Sequence, residues 1–118
     1  MTPTDTLRTK LRRLLDEKIP DGGTDSDTRF LDEEIDDLLE EARSVYQAAA
    51  AGWTEKAGVY QREMADLEQT TTGQETYRLT SLRDRLAYAL KMAETYAGMA
   101  GAETSGSRIL KVAKPEVL

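Results

Sequence analysis

Apolar positions along the chain fall into four helical stripes joined by polar links. The longest runs through Tyr46, Ala49, Ala50, Trp53, Ala57, Tyr60, Met64 and Leu67, at steps of three, one and four. Such steps keep side chains on one face of an α-helix, here more than about twenty residues and roughly 35 Å long. The stripe holds the only Trp and two of the five Tyr, so the spacing predicts the central helix of the core. Ser44 stands at its N-cap with Gln47 three residues on, the form of a capping box.

Upstream, Leu7, Leu11, Leu14 and Leu15 predict a first helix to about Glu17, with Thr2 and Pro3 at its cap and first turn. Arg8, Lys10, Arg12 and Arg13 cover the rest of its circumference, either as a solvated face or as partners for an acidic neighbour. Ile35, Leu38, Leu39 and Ala42 mark a second helix, opened by a Phe30–Ile35 hydrophobic staple and by Asp32, Glu33 and Glu34 in its first turn. Its capping box lacks only the cap, because Leu31 has no acceptor. Asp36, Asp37, Glu40 and Glu41 form its acidic outer arc. After Leu67, the Thr-rich run to Thr80 predicts an extended loop. Ser81 is the expected cap of a last helix with Leu82, Leu86, Ala89, Leu90, Ala93, Tyr96 and Ala97 in its stripe. Tyr88, Met92 and Met99 widen that stripe on one shoulder, for core packing or for a partner surface. Gly98 and Gly101 are expected to end the helix.

The pattern therefore predicts an all-α fold: a small four-helix domain over 1–101, with a long central helix, the Thr-rich loop, and an extended C-terminal arm over 102–118. Two further features are candidate contacts. On the central helix, Ala48, Ala51, Gly58 and Val59 lie opposite the Trp53 stripe with Gly52 at their edge, and interior Gly costs on the order of 1 kcal/mol against Ala. That small-residue face is either an exposed alanine-rich surface or a subunit contact. In the arm, Arg108, Ile109, Leu110, Lys111, Val112 and Lys114 combine aliphatic and basic side chains. They suit either an arm added to a neighbour's sheet edge or groove, ending at Pro115, or a frayed terminus.

Composition removes function classes more readily than it adds them. At 118 residues with 39% hydrophobic and 32% charged positions, the chain is a single globular domain that buries roughly two-thirds of its unfolded surface. A net charge of −6 argues against a general nucleic-acid binder, which needs clustered Lys and Arg. With no Cys and no His, the commonest nucleophile, general base and soft metal ligand are missing. Asp25-Ser26-Asp27 is not a calcium loop: Arg29, Phe30 and Asp36 stand where an EF-hand needs an acidic ligand, a Gly and a Glu. No run approaches the roughly 20 apolar residues of a membrane span, and the polar start is no signal peptide. No catalytic, cofactor-binding or metal-binding residue is expected, nor any cofactor. The residues alone lead to an acidic all-α interaction module.

The order of segments adds a resemblance. Leu7 to Leu15, a Gly/Asp loop, and then Phe30-Leu31-Asp32-Glu33-Glu34-Ile35-Asp36-Asp37-Leu38-Leu39-Glu40-Glu41-Ala42 resemble the opening of the phage head–tail connector (adaptor) family of long-tailed double-stranded-DNA phages. Val45-Tyr46-Gln47-Ala48-Ala49-Ala50-Ala51-Gly52-Trp53 is similar to that family's long helix, and Ser81-Leu82-Arg83-Asp84-Arg85-Leu86 to Tyr96 to its closing helix. The likeness covers about residues 5 to 98 and departs at Leu31, where the family commonly has Ser or Thr. It implies a non-enzymatic structural protein of the virion neck, assembled in the host cytoplasm. Such a protein forms a homo-oligomeric ring, usually twelve-fold, joins the portal protein to the stopper or tail-completion protein, and leaves a channel through which DNA passes without sequence-specific binding. No membrane is involved. The alternative reading is a small acidic helical regulatory or antitoxin-like module that binds one protein partner.

Overall fold

Local signals at the chain's turns decide where the first three helices begin. The computed structural model describes the backbone over 1–69 and 75–112, and side chains over 1–68 and 78–102. Thr4 caps the first helix, α1 (Asp5–Leu14): its hydroxyl accepts from the Leu7 amide at 3.2 Å. The helix thus starts after Thr2 and Pro3. It also stops short of Glu17, because Asp16 turns left-handed at φ 57°. The Glu17 amide then reaches back to the Arg12 carbonyl at 2.9 Å and the Asp16 amide to Arg13 at 3.3 Å, the two bonds of a Schellman motif.

The Gly/Asp loop is ordered by its own carboxylates. Gly22 turns the chain at φ 76°, a value that side-chain-bearing residues rarely adopt. A 3₁₀ turn at Asp25–Asp27 follows, in which Asp27 accepts from the Thr24 amide at 2.9 Å. Asp25 Oδ2 accepts from the Asp32 amide at 2.9 Å, so a residue of the preceding turn satisfies one orphan donor of α2 (Asp32–Glu41). Glu34 accepts from the Leu31 amide at 2.8 Å, which completes the half of the capping box that Leu31 permits. Phe30 and Ile35 are both buried, as a staple requires. Ser44 caps α3 (Val45–Gln69) by accepting from the Gln47 amide at 3.1 Å, and Gln47 Oε1 returns to the Arg43 amide at 2.6 Å. The box is there, shifted out by one residue.

Among the described residues the fold is all-helical with four helices and no strand, and the 25-residue α3 is its central element. Ala49, Trp53, Ala57, Tyr60 and Leu67 of α3 are buried. The largest interface pairs α3 with α4 (Glu75–Val112) as an antiparallel hairpin. Along that hairpin Tyr46 stacks on Tyr96 with centroids 6.1 Å apart, and Trp53 meets Tyr88 edge-on at 5.5 Å. Helices α1 and α2 pack across one flank of α3 through Leu11, Leu15, Ile35 and Leu39, all fully buried.

The last helix departs most from expectation. Residues 75–80, expected as part of the extended loop, are helical, and Ser81 lies inside α4 instead of capping it. Leu79 packs partly against the core, continuing the Leu82, Leu86, Ala89 rhythm backwards by one turn, and this burial overrides the β-preference of Thr76 and Thr80. At the other end Gly98 and Gly101 do not stop the helix. Neither has the left-handed φ of a helix-terminating glycine, and an added Cβ would meet nothing within 4 Å at either. The expected boundary at residue 101 and the extended arm are therefore replaced by helix to Val112. The loop residues 70–74 and the arm residues 113–118, Lys114 and Pro115 among them, lie outside the described residues.

Candidate docking faces

The first helix is fastened by two buried cations that the apolar pattern does not announce. Arg12 donates to Glu17 O at 3.0 Å, Thr28 Oγ1 at 2.9 Å, Phe30 O at 2.8 Å and Asp32 Oδ1 at 2.9 Å. It thereby gathers the end of α1, the loop and the start of α2 around one guanidinium. Arg8 adds a partly exposed bridge to Asp36 at 2.6 Å, so two members of the basic arc pair with the acidic helix. Lys56 on α3 is 4% exposed. Its ammonium donates to Leu15 O at 2.8 Å, pairs with Glu17 Oε2 at 2.7 Å and sits 4.2 Å from the Trp53 ring centroid. Trp53 Nε1 donates to Leu14 O at 3.0 Å. Two α3 side chains three residues apart thus satisfy the last carbonyls of α1, groups a helix end otherwise leaves unpaired. The sequence offers Arg12 either as a solvated charge or as a partner for the acidic helix, and the second holds, whereas nothing near Lys56 announces its burial.

The small-residue face divides when placed in the fold. Ala48 is fully buried in the chain's own core, and a Cβ on Gly52 would stand 2.6 Å from Leu15 Cδ2. These two residues let α1 approach α3 closely and are not available to another subunit. Ala51 is exposed, and Gly58 and Val59 are half-exposed. They remain as a narrow open strip beside α2. Around the strip Glu34, Asp37 and Glu41 of α2 stand with Glu55 of α3. Burial raises the Glu55 carboxyl above its usual value, and the charges of Glu34, Glu41 and Asp37 raise it further. None of the four carboxylates makes an ion pair among the described residues. A recess of about 400 Å³ between α2 and α3 opens beside the strip, lined by Phe30, Gly58 and Val59 together with charges of both signs, Glu34 and Glu55 against Arg29, Lys56 and Arg62.

The second open surface lies on the shoulder of α4. Tyr88, Met92, Tyr96 and Met99 follow one another at steps of four, four and three; Tyr88 is 49% and Met99 38% exposed, while Met92 and Tyr96 are half-buried. Burial raises the Tyr96 hydroxyl's pKa, with smaller contributions from Asp16, Tyr88 and Tyr46, which groups these side chains in one neighbourhood. Lys10 of α1 lies 5.6 Å from the Tyr46 centroid. A second recess of about 400 Å³ runs from Asp16 past Tyr88 to Asp84 and Arg85. Leu90, expected in the buried stripe, is 53% exposed on the opposite shoulder, and Ala97 is exposed as well. The helix buries a narrower arc than its apolar residues span.

Arg108, Ile109, Leu110, Lys111 and Val112 lie on the helical backbone of α4, and their side chains are outside the described residues, as is Lys114. Among the described residues no group of three or more acidic or metal-binding side chains is placed to hold a metal ion, and no helix is long and apolar enough to cross a membrane. The two open surfaces differ in chemistry: one is apolar and aromatic with neighbours of both charges, the other small-residued with four carboxylates along its edge. No protein-family model, curated protein or solved structure matches the chain.

Proposed function

We propose that the chain is a head–tail connector (adaptor) subunit of a tailed phage, a structural protein and not an enzyme. It assembles into a ring on the portal, offers a docking surface to the stopper or tail-completion protein, and leaves an axial channel for DNA. The reading begins from the order of segments: a short first helix, a Gly/Asp loop, an acidic stapled helix, an Ala-rich Trp-bearing helix and a closing helix. The observation that carries it is the aromatic and methionine shoulder of α4, which stays half-exposed although Tyr88 and Tyr96 each touch a ring of α3. Aromatic residues and Met are enriched where subunits meet. A strongly acidic exterior, with α2 carrying seven carboxylates over Asp32–Glu41, suits a conduit that DNA must pass without adhering. Location in the virion neck and contact with the portal belong to the same proposal. Co-sedimentation tests it: the purified chain is expected to pellet with DNA-filled, tailless heads bearing the portal and to stay in solution with portal-free capsids. Equal recovery with both would oppose it.

A further inference from the structure

We infer that the shoulder of α4 in one copy docks on the acidic strip between α2 and α3 of a second copy, so that self-association is head-to-tail. The inference rests on the proposed function in that it names the subunit contact such a ring would use. Tyr88, Met92, Tyr96 and Met99 form the apolar centre of the first surface, Lys10 and Arg85 border it with Asp16 and Asp84, and exposed Lys91 follows Tyr88 by three residues on the same helix. Arg85 and Lys91 are exposed and make no ion pair among the described residues. The second surface offers four carboxylates on its strip, with Arg29 and Arg62 on the adjoining recess. Ala51 and Gly58 leave room for a large ring, since a Cβ on Gly58 would meet only the end of Arg62 at 3.6 Å. The recess beside Phe30 and Val59 takes a ring of tyrosine size.

Glu34, Asp37, Glu41 and Glu55 crowd the same strip, and their mutual repulsion is what a neighbour's Arg85 and Lys91 would relieve. Opposite charges that meet across a contact fix its register and speed encounter. The two surfaces belong to different elements of one chain, so the contact is heterologous, and a heterologous contact closes into a ring when its rotation allows.

Charge reversal with rescue tests the inference on the full chain by sedimentation velocity. The wild-type chain is expected to self-associate at about 100 µM in low salt and to weaken as salt rises. Arg85→Glu with Lys91→Glu, and separately Asp37→Lys with Glu41→Lys, are each expected to weaken association about tenfold or more while leaving the helical circular dichroism intact. Mixing the two double variants should restore it, because each then meets the opposite charge. Tyr88→Ser, which changes no charge, should weaken association of the wild-type chain and of the rescued mixture. A monomeric wild-type chain, reversed variants that associate like wild type, or a mixture that stays monomeric would each overturn the inference. Attachment to portal-bearing heads is scored separately. Association through these faces without attachment would remove the connector reading and leave the interface standing.

Discussion

Lys56 and Glu17 form a pair with side chains only 5% and 10% exposed, so neither charge has water to fall back on. Removing one partner leaves the other buried and uncompensated, a loss of about 3–5 kcal/mol. Lys56→Met should therefore lower the unfolding free energy by that order in urea titration. Adding Glu17→Gln should recover part of the loss, since the Glu17 side chain also accepts from the Arg29 amide at 2.8 Å. A second residue-level expectation concerns the incomplete box at Leu31, which is 44% exposed. Leu31→Thr supplies a side-chain acceptor and should raise stability by about 1 kcal/mol, read as a higher melting temperature. The contrast between these sites shows what sequence makes legible. The Phe30–Ile35 staple and the Glu34 contact are local, and the six residues from Phe30 to Ile35 suffice to see them. The burial of Lys56 depends on Leu15 O and Glu17, some forty positions away in the chain, and nothing near Lys56 announces them.

At the scale of elements, the stripes of α1 and α2 were readable because each buries a single arc, and the Trp53 stripe of α3 was readable although that helix also buries Ala48 and Gly52. The ends of α4 were not. Thr and Gly are poor helix formers by local preference, yet Leu79 finds core contacts before Ser81, and Gly98 and Gly101 occupy open surface where helix continuation meets no obstacle. The glycines separate into two kinds, and substitution tells them apart. Gly52→Ala forces a Cβ against fully buried Leu15 and should destabilise by about 1–3 kcal/mol. Gly98→Ala meets nothing and should stabilise by about 1 kcal/mol. Thermal melts of the two variants followed by circular dichroism check both signs at once. Only the structure distinguishes them, because a small residue at a close helix crossing and a small residue on open surface look alike in sequence. For the same reason the expected subunit face kept Ala51, Gly58 and Val59 and lost Ala48 and Gly52 to the core.

For the whole molecule, charge separates from apolar surface: carboxylates concentrate on the α2 side, and exposed aromatic and methionine side chains on α4. The acidic side has a consequence for pH. The raised Glu55 carboxyl means that the folded state holds its proton more tightly than the unfolded chain does. Below the usual carboxylate range both states are protonated and the site is neutral to folding. As pH rises through the unfolded value and then the folded one, ionisation opposes folding, fully so above the folded value. Glu55→Gln should therefore stabilise the isolated chain at neutral pH and lose its advantage in acid, as denaturant midpoints across pH will show.

The acidic excess and the all-helical class were legible from composition and periodicity. Which surfaces stay open was not, because exposure depends on how widely α4 turns its apolar arc away from α3. Electron microscopy of portal rings incubated with the purified chain tests the connector reading most directly. A connector subunit should give a second ring of density seated coaxially on the portal, with an open central channel and a subunit count matching the portal's. Portal rings that remain bare at saturating chain concentration would contradict it.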